Sequence, residues 1–305
     1  MIKKTNDLAP AFNPYIALVT GLMGVSTGAI FARLAGEAPA LVIAAYRLGI
    51  ASLILAPIAW YKCSSEIRGL SAHDLQLALL SGLLLALHFA VWISSLNYTT
   101  VANSVVLVTT NPLWVGLLTP LVTKERISRI AVLSIIISVI GGIIISAADF
   151  TASGDALWGD FLALMGGVFM ALYLLMGRKL RGKLSLLTYI MVCYGAAAII
   201  LWVTVLLLGL PITGFSNKTV ASFWAMALIP QLVGHTSYNW SLRWFSTTTV
   251  AISLLAEPIG ATILAYLIFG EAITGMLIVG SLLIFLAIYL SSLSESKQPK
   301  TTSFE

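Results

Sequence analysis

Long apolar stretches alternate with short polar segments along almost the whole chain. A helix needs roughly 20 mostly apolar residues to cross the hydrocarbon core of a bilayer. Ten stretches of about that length are present, at 14–33, 40–61, 75–97, 101–122, 129–148, 157–178, 185–209, 221–243, 247–269 and 273–292. Because the connections between them are short, the pattern predicts an all-α membrane protein with ten transmembrane helices.

The composition excludes a water-soluble domain of this size. Of the 305 residues, 59% are hydrophobic and 10% are charged, and the mean hydropathy is +0.99. Soluble domains carry about 25% charged residues, so the charges here are too few to cover a water-facing surface. The net charge of +5 comes mostly from cations between the apolar stretches. That placement indicates membrane orientation rather than binding of nucleic acid.

The cations also predict which side of the membrane each connection faces. With the amino terminus inside the cell, the cytoplasmic segments hold 14 of the 17 Lys and Arg residues. Cytoplasmic connections of membrane proteins are enriched in these residues, so both termini are predicted to be cytoplasmic. Residues 1–13 do not resemble a cleavable signal peptide, and the first helix is expected to remain as an anchor. We therefore expect a multi-pass protein of the cell (inner) membrane.

The chain matches itself at one constant shift of 146 positions. Asn111-Pro112 falls on Glu257-Pro258, Glu125 falls on Glu271, and Gly21 falls on Gly167. The predicted division is a cytoplasmic tail at 1–13, a first repeat at 14–148, an outer linker at 149–156, a second repeat at 157–292 and a cytoplasmic tail at 293–305.

Each predicted repeat holds five helices, so the second repeat enters the membrane in the opposite sense to the first. Inverted repeats of this kind are typical of transporters, which bind the solute near the midplane where the repeats meet. The expected fold is therefore two inverted five-helix repeats around a central cavity, which alternates in access between the two sides of the membrane.

Several motifs carry a family resemblance. They are Glu257-Pro258-Ile259 followed by Phe269-Gly270-Glu271-Ala272-Ile273-Thr274, the counterpart Asn111-Pro112 followed by Lys124-Glu125-Arg126-Ile127-Ser128, Tyr46-Arg47, and Gly159-Asp160-Phe161-Leu162-Ala163-Leu164. With these motifs the chain resembles, from about 14 to 292, the EamA-type members of the drug/metabolite transporter superfamily. The resemblance implies a ten-helix fold with a central cavity that serves export or uptake of small metabolites. It implies no single substrate.

Four ionisable residues fall within predicted spans: Arg47, His88, His235 and Glu257. Such residues are costly in a membrane and usually mark function. Glu257 is expected to exchange protons during transport or to hold a cationic group; the alternative is a structural carboxyl bonded to a neighbouring helix. Arg47 either binds a substrate carboxylate or neutralises the cavity by pairing with Glu257 or with helix carbonyls. The residue 146 positions after Arg47 is Cys193, so the site is expected to be asymmetric.

Other polar and aromatic side chains are predicted to line the cavity. They are His88 and Trp92 in the third stretch, Asn111 and Trp114 in the fourth, Phe169 and Tyr173 in the sixth, and Gln231, His235, Tyr238 and Asn239 in the eighth. Trp92 and Tyr238 have an alternative role as anchors at the membrane interface, and Phe169 and Tyr173 as plain packing residues. Pro112 and Pro258 each remove a helix hydrogen bond, so they mark either gating kinks or tolerated bends.

The sequence lacks the motifs of a membrane-embedded metalloprotease or ATPase, since His-Glu-x-x-His and Gly-rich phosphate loops are missing. Gly24-Val25-Ser26-Thr27-Gly28 matches Gly-x-Ser-x-Gly, but it lies inside the first apolar stretch and not at the strand-to-helix turn that this motif needs. The two cysteines do not imply a disulfide. We therefore expect no enzyme activity and no cofactor, and the expected partners are a small molecule and the lipid bilayer. A monomer suffices for a complete site, and a dimer is possible.

The favoured interpretation is a secondary transporter of a small polar or amphipathic metabolite, such as an amino acid or a related amine. A proton-coupled multidrug or cation exporter is the alternative, and a channel is a more distant one.

Overall fold

The computed structural model describes residues 10–99, 101–122, 127–146, 154–270, 273 and 275–296, and all regular structure within them is helical. The elements are α1 (Pro14–Val25), α2 (Gly28–Leu34), α3 (Ala40–Arg68), α4 (Ala72–Ser95), α5 (Val101–Val108), α6 (Asn111–Val122), α7 (Arg129–Ser146), α8 (Gly154–Arg181), α9 (Leu186–Leu207), α10 (Asn217–Met226), a π-helical segment (Ala227–His235), α11 (Thr236–Ser241), α12 (Thr247–Leu254), α13 (Glu257–Phe269) and α14 (Gly275–Ser296). Glu125 and Glu271, which helped to define the repeat, lie outside the described residues.

The predicted all-α membrane architecture is confirmed. Among the described residues, seven helical stretches are long and apolar enough to cross a membrane. Some helices run past their apolar stretch, and α3 continues to Arg68 although its apolar stretch ends near residue 61. Polar side chains on such an extension stay hydrated and pay no desolvation cost, because this part of the helix has left the hydrocarbon core. In α3 the extension follows a kink at Cys63, where the backbone φ is −131° and ψ is 17°.

Three of the predicted spans are each divided near their centre into two shorter helices, and two of these divisions match each other. The first span divides between Val25 and Gly28. The matched divisions lie between Val108 and Asn111 and between Leu254 and Glu257. Pro112 and Pro258 are the second residues of α6 and α13, where a helix has no use for the missing N–H group. Each proline therefore begins a new half-helix instead of bending a continuous one. The 146-residue shift carries one division onto the other.

The eighth predicted span contains the π-helical segment, which the sequence analysis treated as an ordinary helix. Pro230 lies inside this segment. A proline ring clashes with the carbonyl one turn earlier and removes a hydrogen bond, and a wider turn relieves both problems. The polar stripe of this span therefore follows a wider turn than the 3.6-residue period used to predict it.

The packing of the helices follows the repeat. Some helices pack against their own counterpart under the 146-residue shift, and others form pairs that the shift carries onto one another. α3 packs against α9, and α7 packs against α14. α1 packs against the π-helical segment and α11, as α8 packs against α4. The crossing of α1 is especially close, because a Cβ atom added to Gly24 would lie 2.8 Å from the backbone of Gly234.

Contacts between helix ends fall into two groups, which define two ends of the molecule. End A holds the start of α1 and the connections α3–α4, α8–α9 and α11–α12. End B holds the connections α2–α3 and α9–α10, the end of α4 and the start of α8. At end A, the Arg178 side chain donates to the Leu242 carbonyl over 2.7 Å. At end B, the Thr99 hydroxyl donates to the Asp160 carboxylate over 2.7 Å.

Candidate functional site

A small polar cavity lies where the two halves of the chain meet. Its lining comes from both halves and consists of Val25, Arg47, His88, Trp92, Val108, Thr109, Asn111, Met170, His235, Leu254 and Glu257. The free space is about 20 Å³, which is room for about one water molecule. In this conformation the cavity is closed around its polar groups.

Arg47 supplies the positive charge of the cavity. Its side chain is 1% exposed. The Nε atom donates to the Gln231 side-chain oxygen over 2.8 Å, and the guanidinium lies 3.9 Å from the centre of the Phe89 ring. Within the part of the chain that the structure describes, Nε is the guanidinium nitrogen of Arg47 that forms a hydrogen bond. The terminal nitrogens are therefore left for a negatively charged group in the cavity that Arg47 lines.

Glu257 supplies the negative charge from the other half of the chain. It is the first residue of α13 and is 9% exposed. It interacts electrostatically with Arg47. Within the described residues, however, the two side chains do not come within the 4.0 Å of an ion pair. The cavity thus holds two opposite charges that do not neutralise each other by direct contact.

The two half-helices α6 and α13 begin at the cavity, with Asn111 and Glu257 as their first residues. The first turn of a helix has unpaired N–H groups and carries a partial positive charge. Broken helices in transporters present such ends to anionic groups of a solute. The symmetric breaks therefore add a second source of positive potential, which Glu257 offsets on one side.

The two histidines meet inside the cavity with aromatic neighbours. The ring centres of His88 and His235 are 6.3 Å apart, and His88 stacks on Trp92 with 5.9 Å between ring centres. His88 Nδ1 is 2.9 Å from the Gly166 carbonyl oxygen. This contact ties α4 to α8 and fixes the orientation of the His88 ring.

Three cavity groups have no hydrogen-bond partner among the described residues: Trp92 Nε1, Asn111 Oδ1 and His235 Nδ1. An unpaired buried polar group costs about 1–3 kcal/mol. A small polar solute would supply the missing partners. The arrangement therefore suits a solute with both donors and acceptors. In the described part of the chain, no group of three or more His, Cys, Asp and Glu side chains is placed to hold a metal ion.

Several residues predicted from the sequence lie around the cavity but not in its lining. The Gln231 side-chain oxygen accepts the hydrogen bond from Arg47 Nε. The Asn239 side chain donates to the hydroxyls of Tyr173 and Tyr194, which joins α11 to α8 and α9. The structure places these side chains as supports of the cavity wall.

The remaining predicted aromatic residues differ in burial. Tyr238 is 1% exposed and packs against Gly21 of α1, and Trp92 is 3% exposed. Both are thus enclosed by protein and do not face lipid as interfacial anchors would. Trp114 and Phe169 are partly buried against the main core and are not part of the cavity lining.

Five residues of the lining were not predicted from the sequence: Val25, Val108, Thr109, Met170 and Leu254. Val108 and Leu254 are 146 positions apart, and each is the last residue before a central break. The repeat could have predicted these two residues, because residues on either side of the two matched breaks line the same cavity.

Many apolar helices, several of them broken beside a cavity of buried polar groups, define a multi-pass membrane protein. The EamA-like transporter family model matches the chain twice, at residues 13–147 and 157–293. The chain belongs to this family, as the motifs indicated, and it is a membrane transporter protein built from two copies of the family unit.

Two relatives named as transporters agree with this assignment, and a solved structure shares the fold. The chain is 25% identical over 254 residues to an uncharacterized transporter of Clostridium kluyveri, covering 81% of this chain and 82% of that protein. It is 24% identical over 256 residues to one of Archaeoglobus fulgidus, covering 82% and 86%. A crystal structure with 18% identity superposes with a TM-score of 0.75 over 93% of this chain and 98% of the other, so the fold is shared.

Proposed function

We propose that the protein is a secondary transporter that moves an amino acid or a related small amine across the cell membrane by alternating access. The observation that carries this proposal is the closed cavity in which Arg47 and Glu257, one from each half, remain unpaired with each other. Buried charges generally need partners. A solute with a carboxylate and an ammonium group supplies both partners at once.

The cavity suggests an orientation for such a solute. Its carboxylate would lie toward the terminal nitrogens of Arg47 and its ammonium group toward Glu257. Asn111 Oδ1, Trp92 Nε1 and His235 Nδ1 are available to its remaining polar atoms. The aromatic rings around them leave room for an apolar portion once the cavity widens.

The proposed membrane arrangement has ten crossings in two inverted five-helix repeats. Contacts between helix ends support it, because they join connections that such a count puts on the same side. Phe12 stacks on Trp240 at end A, while the Tyr46 hydroxyl donates to the Ile212 carbonyl at end B. End A holds most of the cations, so we propose that it faces the cytoplasm together with both termini. One copy of the chain supplies a complete cavity, so a monomer suffices.

Binding and then counterflow would test the proposal. Purified protein would be titrated with a panel of amino acids, amines and nucleosides, and the solutes that bind would be loaded into proteoliposomes for counterflow. We expect saturable exchange of an amino acid or amine, sharply reduced in Arg47→Gln and Glu257→Gln and kept in Asp155→Asn, which alters an exposed carboxylate at end B. Binding of nucleosides alone, or exchange that the two cavity variants leave intact, would contradict the proposal.

Proton-coupled export of organic cations is the second candidate. It is favoured by Glu257 in a cavity with Trp92 and Phe89 nearby, because aromatic faces and a carboxylate attract cations. Uptake of a quaternary ammonium compound driven by a pH gradient would support this candidate. In that case Arg47→Gln should increase affinity, whereas transport of amino acids requires that it decrease affinity.

A further inference from the structure

Two carboxylates outside the cavity join the first half of the chain to the second. Glu37, in the α2–α3 connection, accepts a hydrogen bond from the backbone N–H of Ser216. Glu66, near the end of α3, accepts from the backbone N–H of Ser185 and from the Thr188 hydroxyl, each over 2.7 Å. Both carboxylates thus bind the N-terminal turn of a helix in the other half.

The two contacts lie at opposite ends of the molecule. Glu37 reaches the start of α10 at end B, and Glu66 reaches the start of α9 at end A. In each case a negative charge meets the unpaired N–H groups and partial positive charge at the start of a helix of at least ten residues. The central cavity lies between these two contacts.

A second bond accompanies each carboxylate. At end B, the Tyr46 hydroxyl donates to the Ile212 carbonyl over 2.6 Å. At end A, Lys183 lies 3.5 Å from Asp74. Both accompanying bonds also connect the first half to the second. With all four contacts formed, the halves are held together at both ends, which agrees with the closed cavity.

Glu37 is ionised under ordinary conditions. The hydrogen bond from the Ser216 backbone lowers the pKa of the Glu37 carboxyl below its usual value. A lowered pKa means that the contact is fully present above the ordinary pKa and is lost as the pH falls through the lowered value. The Glu37 contact therefore persists through the neutral range of pH.

We propose that Glu37 and Glu66 are reciprocal latches, so that end B opens when the Glu37 contact breaks and end A opens when the Glu66 contact breaks. This inference rests on the transport function proposed above. A transporter that alternates in access must release one end while it keeps the other closed, and each latch provides a bond that only one of the two open states loses.

The proposal predicts opposite effects for the two residues. Each contact is present only while its end is closed. Removing the contact therefore lowers the free energy of the state with that end open relative to the state with it closed. A charge-assisted hydrogen bond at a partly exposed position should shift such an equilibrium by roughly 3- to 10-fold. Loss of Glu37 should therefore favour opening at end B, and loss of Glu66 should favour opening at end A.

Labelling of a cavity cysteine from each side of sealed vesicles tests this. The background would be Cys63→Ser with Cys193→Ser, and Val108→Cys would report from the cavity lining. His73→Cys and Lys218→Cys, at exposed positions near end A and end B, would identify the side that each end faces. The reagent would be a membrane-impermeant maleimide, added to one side at a time.

Glu37→Gln should raise the labelling rate from the end-B side about 3- to 10-fold and lower the rate from the end-A side, and Glu66→Gln should do the reverse. Alanine at either position should enlarge the same change, and Asp155→Asn should change neither rate. Labelling that moves in the same direction for both residues, or for neither, would overturn the proposal. Because no solute is used, this outcome is separate from whether an amino acid is transported.

Discussion

The two matched broken spans, α5–α6 and α12–α13, have the same backbone but different chemistry. In both spans the first half-helix ends three positions before an X-Pro pair, and the second half-helix begins at the X residue of that pair. The two breaks are therefore equivalent under the repeat shift. The first half places an amide there, Asn111, and the second half a carboxyl, Glu257. The repeat therefore fixes where a cavity forms, while single residues within it determine the charge that the cavity carries.

A second pair of matched positions shows the same separation. Arg47 in α3 faces the cavity, but its counterpart Cys193 in α9 lies in the protein interior, 3.6 Å from the Ser81 hydroxyl, which in turn is 2.7 Å from the Tyr189 hydroxyl. Position 193 thus lies outside the cavity lining, and the repeat does not duplicate the cation of Arg47. Each half contributes one ionisable group of opposite sign to the cavity, Arg47 from the first and Glu257 from the second.

The largest effect on transport is expected when Glu257 is replaced by asparagine, the residue that the first half has at the matched position 111. Glu257→Asn should reduce transport by at least about 30-fold, because truncating one partner of a buried charge interaction costs about 2–5 kcal/mol. Glu257→Gln should abolish any pH dependence that remains. Initial rates of counterflow between pH 5 and 9 are the measurement. Unchanged pH dependence in Glu257→Gln would show that this carboxyl does not exchange protons.

A double-mutant cycle would show whether the two charges depend on each other for stability. Arg47→Gln alone and Glu257→Gln alone should each lower the free energy of unfolding, because each leaves the other buried charge without an opposite charge in the cavity. Since the two side chains make no direct ion pair, each loss should stay below the roughly 3 kcal/mol expected for such a pair. The double variant should lose less than the sum of the two. Thermal unfolding in detergent is the readout. Strictly additive losses would mean that Arg47 is stabilised by Gln231 and Phe89 alone.

The sequence alone predicted most of the helices, because the bilayer imposes one length and one composition on every span. It also predicted matched irregularities where Asn111-Pro112 and Glu257-Pro258 fall on each other, although as kinks or bends and not as breaks between two helices. The cavity charges Arg47 and Glu257 stood out for the same reason: an ionisable residue is conspicuous in an apolar stretch.

What the sequence could not predict depends on packing in three dimensions. The π-helical turn at Pro230 changes which side chains share a face, and a 3.6-residue period cannot anticipate it. The carboxylate contacts of Glu37 and Glu66 join residues more than 100 positions apart, in connections or polar helix ends that carry no apolar pattern. Apolar lining residues such as Met170 resemble every other apolar residue until the helices are packed.

The close crossing of α1 with the π-helical segment is a further difference between the halves. Gly234 makes this crossing possible, and its counterpart in the first half is His88, which instead bonds to the Gly166 carbonyl. Gly234→Ala should lower stability by about 1–3 kcal/mol, because its Cβ would lie 2.9 Å from the Val25 backbone. Gly195→Ala is the matched control, since a Cβ there meets nothing within 4 Å. Equal melting temperatures for the two variants would contradict the close packing.

The smallest effect is expected at end A, where the repeat shift carries Glu37 onto Lys183. Matched positions thus bear opposite charges, and Lys183 pairs with Asp74 through a side chain that is 50% exposed. An exposed ion pair contributes about 0.2–1 kcal/mol, since water screens it and the lysine loses conformational freedom. A cycle of Asp74→Asn and Lys183→Gln should therefore give a coupling energy within that range, and it should decline in 1 M salt. A larger coupling that salt does not reduce would mean that the pair acts as a principal bond between the halves, equal in importance to Glu66.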